Sequence, residues 1–347
     1  MPRLRRVDCS TPGIRRLRAG RGFRYVDACG NRVSDPATLA RIRALVIPPA
    51  WEDVWICPWP QGHIQATGVD VAGRRQYRYH DAWRLRRDQE KFEHMIEFGR
   101  ALPSLRQRIC ADLALDGLPR ERVLACATRL LDLGFFRIGT EGYAEQNQTY
   151  GLATMRKRHV TIADDTIRFD YVAKSGKRRI TSLAEPDVLA VVTQLKERRN
   201  GGHELLAYQR EGAWVDVKSA DINAYIKEIT GGDYTAKDFR TWVATVLAAV
   251  ALAVSDEARS AAARKRAVSR CYQEVAHYLG NTPAVCRASY VDPRVVDRYL
   301  AGVSVKHALG ALGAETSDGH PGIQGAVEEA VLDLLVDAPT EGLRATG

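Results

Sequence analysis

Five side chains in four short stretches could act together on a phosphate: Arg137 in FFRIGTEGY, Lys174 in VAKSGK, Arg240 in TAKDFRTW, and Asn281 and Tyr290 in LGNTPAVCRASY. Moving a phosphoryl group without a metal needs cations and hydrogen-bond donors fixed around it, a nucleophile, and an acid for the departing oxygen. A metal-assisted route would need clustered carboxylates, and no Asp/Glu spacing in the chain suggests such a cluster.

Each residue has a local setting and a plainer reading beside the chemical one. Arg137 follows a helix stop at Gly134 and precedes a helix expected from Thr140, so Phe135, Phe136 and Ile138 would stiffen it; a surface arginine beside a hydrophobic anchor reads the same way. Lys237 and Arg240 fall in the first turns of a helix whose apolar body predicts burial, with Thr235 and Asp238 spaced as a capping box. Cations are locally unfavourable at that helix end, and a phosphate would explain them. Lys174 sits at the tip of a hairpin turning at Ser175-Gly176; with an ordinary pKa of about 10.4 it could serve as an acid, or be a solvated turn lysine. Tyr290 is expected about two turns into a short helix opened by Thr282 and Pro283. A phenol is a poor nucleophile unless cations stabilise its anion, and a packed core tyrosine is the alternative. Asn281 could donate to a phosphate oxygen or end the preceding helix.

The elements that must position these residues fall into two groups. Up to about residue 80 the pattern is mostly short strands: GFRYVDACGNRV around a Gly30-Asn31 turn, then DVWICPW, HIQATGVDV and RRQYRYH. One helix interrupts them, DPATLARIRALV, with Asp35 as N-cap, Pro36 in the first turn and Leu39, Ile42 and Val46 on one face. A charged helix follows from Ala82 to Gly99, then the amphipathic ERVLACATRLLDLG, the hairpin TIRFDYVAKSGKRRITSL, and a remainder expected to be nearly all helix, closing with VEEAVLDLLVDA. The expectation is an α+β chain: a small N-terminal antiparallel sheet domain with a helix over 1–90, and a larger, mostly helical domain with a small hairpin over 91–347, the boundary falling near 80–92.

Charge and composition bound the partners. Residues 1–300 carry a net +14 and residues 301–347 a net −5, giving +9 overall. A basic body of this kind attracts phosphate polymers without sequence preference, although a merely well-solvated basic surface is also common. Seven scattered cysteines without a C-x-x-C pair suggest neither a disulfide framework nor a zinc site. The basic N-terminus has no apolar run behind it, and the most apolar stretch, Trp242 to Val254, is shorter than the roughly 20 residues that span a bilayer. A cytoplasmic protein is expected, with no membrane partner.

In their order and separations, RIGTEGY, the hairpin bearing VAKSGK, TAKDFRTW and LGNTPAVCRASY resemble the catalytic domain of the poxvirus-type and bacterial type IB DNA topoisomerases, from about residue 70 to residue 300. The resemblance implies a tyrosine recombinase-like catalytic fold. It implies that Tyr290 attacks a DNA phosphodiester to form a 3′-phosphotyrosyl link, and that Arg137 and Arg240 clamp the nonbridging oxygens. Lys174 would protonate the departing 5′ oxygen, and Lys237 would support the same phosphate. Supercoils would relax without ATP, another nucleotide or a metal, and the partner would be duplex DNA in the nucleoid, enclosed by a monomer closing as a clamp. GRRQYRYH resembles the family's DNA-reading segment, implying that Arg74, Arg75, Gln76, Tyr77 and Tyr79 contact DNA, with Tyr143 approaching the backbone. If that segment is a strand, Tyr77 and Tyr79 share one face and Arg78 takes the other; by periodicity alone they could equally be an aromatic pair covering a small core. The poxvirus members carry histidine where this chain has Asn281, which keeps a donor but loses a possible charge.

Two rivals remain at this level. Tyrosine recombinases use a similar Arg, Lys, Arg, Tyr set, but their second arginine normally follows a histidine in H-x-x-R, whereas here the spacing reads Lys237-Asp-Phe-Arg240, and their N-terminal domain is usually helical. An inert DNA-binding or architectural protein would explain the charge and the aromatic segment, but would leave the four ordered segments as coincidence.

Overall fold

In the computed structural model, residues 3–255, 260–311 and 324–336 are described. The chain divides into two compact units, Met1–Phe92 and Glu93–Gly347. The fold is mixed α+β, and among the described residues no helix is long and apolar enough to cross a membrane.

The first unit is an antiparallel sheet of strands β1 (Ile14–Ala19), β2 (Gly22–Val26), β3 (Glu52–Ile56), β4 (Ile64–Val69) and β5 (Arg75–Tyr79), in the order β2-β1-β3-β4-β5. Helix α1 (Pro36–Ala44) starts where Asp35 accepts from the Thr38 amide at 2.8 Å. Ile14, Ile42, Val54, Ile56 and Ala66 form the core beneath it, with Tyr25, Val33 and Trp51 at its edge. One expectation needs correcting. The first hairpin turns at Gly20, where φ is +58°, and pairs β2 with β1, whereas the Gly30-Asn31 turn closes only the single bridge from Val26 to Arg32. Strand β1 (IRRLRA) is arginine-rich, which hid its alternation; it buries Ile14 and directs the Arg16 guanidinium to the carbonyls of Ile47, Pro48 and Trp51.

Helix α2 (Asp81–Leu113) continues well past Gly99 and through Pro103. Its buried face of Phe98, Leu102, Leu105, Ile109 and Leu113 holds it helical despite the lost backbone donor. The second unit then contains α3 (Arg120–Asp132), α4 (Glu141–Asn147), a sheet of β6 (Val160–Ala163), β7 (Thr166–Val172) and β8 (Arg178–Leu183), α5 (Pro186–Glu197), a hairpin of β9 (Ala207–Arg210) and β10 (Ala213–Asp216), α6 (Ser219–Thr230), α7 (Ala236–Val254), α8 (Ala261–Leu279), α9 (Pro283–Ser289), α10 (Pro293–Leu300) and α11 (Ala326–Val336). Two strand features add to the expected hairpin and nearly all-helical remainder. The expected hairpin gains β6 through Asp164-Asp165, both at positive φ, and β9–β10 turn through Glu211-Gly212, at +52° and +78°. Both are two-residue turns of the type usually signalled by Asn-Gly or Asp-Gly, and neither sequence carries that signal.

Helix α7 is buried on most sides, as its apolar body predicted, and lies at the centre of this unit. An ionic network is buried beside it. Arg106 from α2 makes two hydrogen bonds of 2.9 Å to Asp132 and bonds of 2.6 and 3.0 Å to Glu328 from α11. Arg129 bonds Asp132 at 2.9 Å and Glu185 at 3.1 Å, and the Trp242 indole donates to Glu328 at 2.7 Å. Burial alone would lower the Arg106 pKa, but Asp132 and Glu328 outweigh it and raise the value. Burial likewise works against an ionised Asp132, while Arg106 and Arg129 pull its pKa below the usual carboxylate value. Val327, Val331, Leu334 and Leu335 complete the docking of α11; Asp337 and Ala338, the end of the expected closing helix, lie outside the described residues. Truncating Glu328→Ala leaves a buried guanidinium short of one partner and the indole without an acceptor, so urea unfolding is expected to show a loss of about 3–5 kcal/mol. A change below about 0.5 kcal/mol, the usual range of surface substitutions, would mean that α11 is not held by this network.

Candidate active site

The loop carrying Arg137 is fixed by its backbone before any side chain is considered. Its carbonyl accepts from the Leu152 amide at 2.8 Å, and the Ile138 carbonyl accepts from Ala153 at 2.7 Å. These bonds require two chain segments to touch: a Cβ built on Gly151 would lie 2.5 Å from the Gly139 nitrogen, and one on Gly139 would lie 2.7 Å from the Gly151 Cα. Only glycine fits at either position. Phe136 packs edge-on to Phe169 and stacked on Tyr171, both from β7, so the residue before Arg137 is held by the sheet.

The side chains converge on the carboxyl end of α8. Gly280 caps that helix at φ +64°, and the Asn281 amide returns to the Ala276 carbonyl at 2.9 Å, an αL ending that leaves the last carbonyls pointing outward. Arg240 Nη2 takes the Leu279 carbonyl at 2.8 Å, and its Nη1 reaches the Phe136 carbonyl at 3.4 Å. Arg137 Nη2 takes the Gly280 carbonyl at 3.3 Å and also donates to Asn281 Oδ1. Two guanidiniums from elements far apart in sequence thus rest on consecutive carbonyls of one helix end. Because an arginine can bond only the oxygen of the Asn281 carboxamide, Nδ2 is turned away as a donor.

Arg240 is 4% exposed, and burial first, then the charge of Arg137, depress its pKa to about 10; the Tyr290 phenol, by charge and hydrogen bond, works the other way. Its guanidinium carbon lies 5.6 Å from the centroid of the Tyr290 ring, within cation–π range. Tyr290 is half-buried and is the cap of α9 after its last turn, not a residue inside the helix as expected. Its main chain is pinned on both sides, the amide to the Cys286 carbonyl at 3.0 Å and the carbonyl to the Thr245 hydroxyl at 3.3 Å. Among the described residues, the buried Arg240 Nε has no hydrogen-bond acceptor, and the buried Asn281 Nδ2 has no oxygen acceptor, only the weakly accepting Cys286 thiol beside it. Such orphans are costly and therefore rare, and an anion accepting from both would satisfy them.

A cleft of about 230 Å³ opens on the same helix end, lined by Arg137, Lys174, Arg179, Leu279, Gly280 and Asn281 among others. Lys174 is exposed at the tip between β7 and β8, where Ser175 and Gly176 both have positive φ and the Ala173 amide bonds the Lys177 carbonyl at 2.8 Å. Arg240 and Tyr290 do not line this cleft; Arg240 reaches its wall through the Leu279 carbonyl, and Tyr290 lies beyond, against Arg240. Lys237 is exposed on the first turn of α7, away from the cleft lining. The expected box at that turn is present: Asp238 accepts from the Thr235 amide at 2.7 Å and from its hydroxyl at 2.9 Å. Tyr143 lies in α4, but its side chain is outside what is described. Lys177, Arg178 and Arg179, none of them singled out in the sequence, also line the cleft, and of these Arg179 is the one bonded to the α8 end. The period of β8 separates it from Arg178, whose guanidinium pairs with Asp170 at 2.6–2.7 Å, and that alternation was the available signal.

In the first unit, β5 is an edge strand, and Arg75, Tyr77 and Tyr79 occupy its exposed face. The two tyrosines are 44% and 40% exposed with ring centroids 6.0 Å apart, so they stack on each other outside the core. Gln76 and Arg78 take the opposite face, where Gln76 donates to Asp70 at 2.9 Å and Arg78 to the Val46 carbonyl at 2.8 Å. Arg74 is tied to the same Asp70 at 3.5 Å.

Comparison with known proteins identifies the class. The family model described as the catalytic core of eukaryotic DNA topoisomerase I matches residues 80–305, and that of the bacterial DNA topoisomerase IB N-terminal domain matches residues 22–70. A DNA topoisomerase 1B of Acanthamoeba polyphaga mimivirus is 30% identical over 295 residues, covering 83% of this chain and 87% of the relative. DNA topoisomerase 1 of Daucus carota is 29% identical over 129 residues, 37% of this chain and 15% of the plant protein. The chain belongs to the type IB DNA topoisomerases, isomerases whose substrate is DNA.

Replacing Asn281→Asp keeps an acceptor for Arg137 but removes the Nδ2 donor and adds a negative charge. Single-turnover DNA cleavage is expected to fall about 10²- to 10³-fold, the usual effect of losing one oxyanion donor, with thermal stability preserved. Cleavage at the wild-type rate would exclude Nδ2 as a donor to the phosphate.

Proposed function

We propose that this enzyme relaxes supercoiled duplex DNA by transient cleavage of one strand through Tyr290. The phenol oxygen attacks the phosphorus and its proton leaves to solvent. The bond from phosphorus to the 5′ oxygen breaks, and that oxygen takes a proton from the Lys174 ammonium, leaving a 3′-phosphotyrosyl link and a free 5′-hydroxyl. Rotation about the intact strand releases torsion, and the reverse attack reseals the nick. Because one ester replaces another, the cycle needs neither nucleotide hydrolysis nor a metal.

The observation that carries this reading is the seating of Arg137 and Arg240 on consecutive carbonyls of the α8 end, with the Arg240 guanidinium over the Tyr290 ring. Donors held there before DNA arrives need no reorganisation when charge builds on the nonbridging oxygens. The orphaned Arg240 Nε and Asn281 Nδ2 supply further donors. The exposed Arg75–Tyr77–Tyr79 face of β5 suits a basic and aromatic contact with the duplex, and a monomer whose two units close on the DNA is the simplest form of the enzyme.

The test is relaxation of a negatively supercoiled plasmid in excess chelator without ATP, together with trapping on a suicide duplex. Wild type is expected to relax the plasmid and form a denaturation-resistant adduct mapping to Tyr290, and Tyr290→Phe to do neither. An adduct on another residue, or relaxation by Tyr290→Phe, would exclude the assignment. Lys174→Ala is expected to slow cleavage about 10²- to 10⁴-fold, the range for a general acid, and to recover with a bridging 5′-sulfur, whose thiolate leaves without protonation.

A further inference from the structure

We propose that Arg179 is a positioning residue: it ties the Lys174 hairpin to the carboxyl end of α8 and so sets where the ammonium stands relative to the phosphate. The inference rests on the reading of Lys174 as the acid. Arg179 Nη2 donates to the Tyr278 carbonyl at 2.8 Å and Nη1 to the His277 carbonyl at 3.3 Å, the positions just before the carbonyls held by Arg240 and Arg137. A Cβ on Gly280 would come within 3.0 Å of Arg179 Nη1 and 3.3 Å of Cζ, so the guanidinium lies directly over the helix cap. Across the strand pair it faces Tyr171, whose ring stacks on Phe136.

The lever from this anchor to Lys174 is short. Arg179 follows Lys174 by five residues across a turn closed by the bond between Ala173 and Lys177, and the other strand is held where the Tyr150 amide meets the Val172 carbonyl. Without the guanidinium, β8 keeps its ladder to β7 but loses its tie to the Asn281 end of α8. Arg137, Lys174, Arg179 and Asn281 line one cleft, so a shift of the hairpin moves the acid with respect to the clamp.

Single-turnover cleavage of two suicide duplexes, one with the ordinary 5′-oxygen and one with a bridging 5′-sulfur, tests this with Arg179→Ala, Arg179→Lys and Lys174→Ala. Arg179→Ala is expected to slow cleavage of the oxygen substrate about 10- to 100-fold, as misplacement of a catalytic group by about 1 Å does, and to cleave the sulfur substrate within about threefold of wild type, because that leaving group needs no acid. Arg179→Lys, which keeps the charge and a single donor nitrogen on a slightly shorter side chain, is expected to fall between. Equal slowing on both substrates would overturn the inference and make Arg179 a phosphate ligand or a general brace; unchanged rates would overturn it too. If Lys174→Ala is not rescued by sulfur, the acid assignment itself fails and the inference falls with it. If Lys174→Ala is rescued and Arg179→Ala is not, only the inference falls.

Discussion

The carboxyl end of α8 holds the site together. Its last carbonyls, on His277, Tyr278, Leu279 and Gly280, accept from Arg179, Arg240 and Arg137. Guanidiniums crowded into one region repel, and the Arg240 pKa, depressed first by burial and then by Arg137, records part of that cost. A helix end carries only about half an elementary negative charge. It can therefore orient three cations but not neutralise them, and the surplus positive charge is what a phosphodiester would meet. Bonds of this charge-assisted kind contribute roughly 1.5–3 kcal/mol each, enough to hold the geometry while leaving the Arg240 Nε and Asn281 Nδ2 donors for an incoming anion.

Everything that delivers a side chain to that helix end depends on a rigid frame around it. The Arg137 loop is seated by the Gly139–Gly151 approach and by the stacking of Phe136 on β7. Arg240 arrives from α7, which is buried on most sides, and Thr245 one turn further on bonds the Tyr290 carbonyl, so the same helix steadies the arginine and the phenol. The network of Arg106, Asp132, Arg129 and Glu328 braces α2, α3 and α11 against α7. Arginine thus serves two purposes in the unit: paired with carboxylates it locks helices together, and set on carbonyls it remains available to an anion.

Much of the site's local structure was legible in the sequence, because it depends on short-range chemistry. Thr235 with Asp238, Asp35 before Pro36, Thr282 before Pro283 and the Ser175-Gly176 tip all lie where their residue types direct them. The four ordered segments pointed to the type IB topoisomerases, the family to which the chain belongs, and the match of a topoisomerase I core over 80–305 favours that family over the recombinases. What was hidden is long-range. Nothing local says that residues 137, 179 and 240 meet at 277–280, since those contacts span 39 to 143 positions. The β9–β10 hairpin escaped because Glu211-Gly212 adopts a turn that its first residue does not advertise, and α2 outran Gly99 because tertiary burial outweighed Pro103. Tyr290 closes α9: its amide makes the last helical bond to Cys286, the Val291 amide folds back to the same carbonyl, and the Tyr290 carbonyl goes to Thr245, a contact invisible in LGNTPAVCRASY alone.

The most direct test is the structure of the enzyme on a duplex with a vanadate bridging Tyr290 and the 5′ end, a mimic of the five-coordinate phosphorus. Arg137 and Arg240 are expected to remain on the Gly280 and Leu279 carbonyls while Arg240 Nε and Asn281 Nδ2 donate to the equatorial oxygens. Guanidiniums that have left α8 to reach the vanadate, or an Arg240 Nε and Asn281 Nδ2 still without an acceptor, would contradict that arrangement.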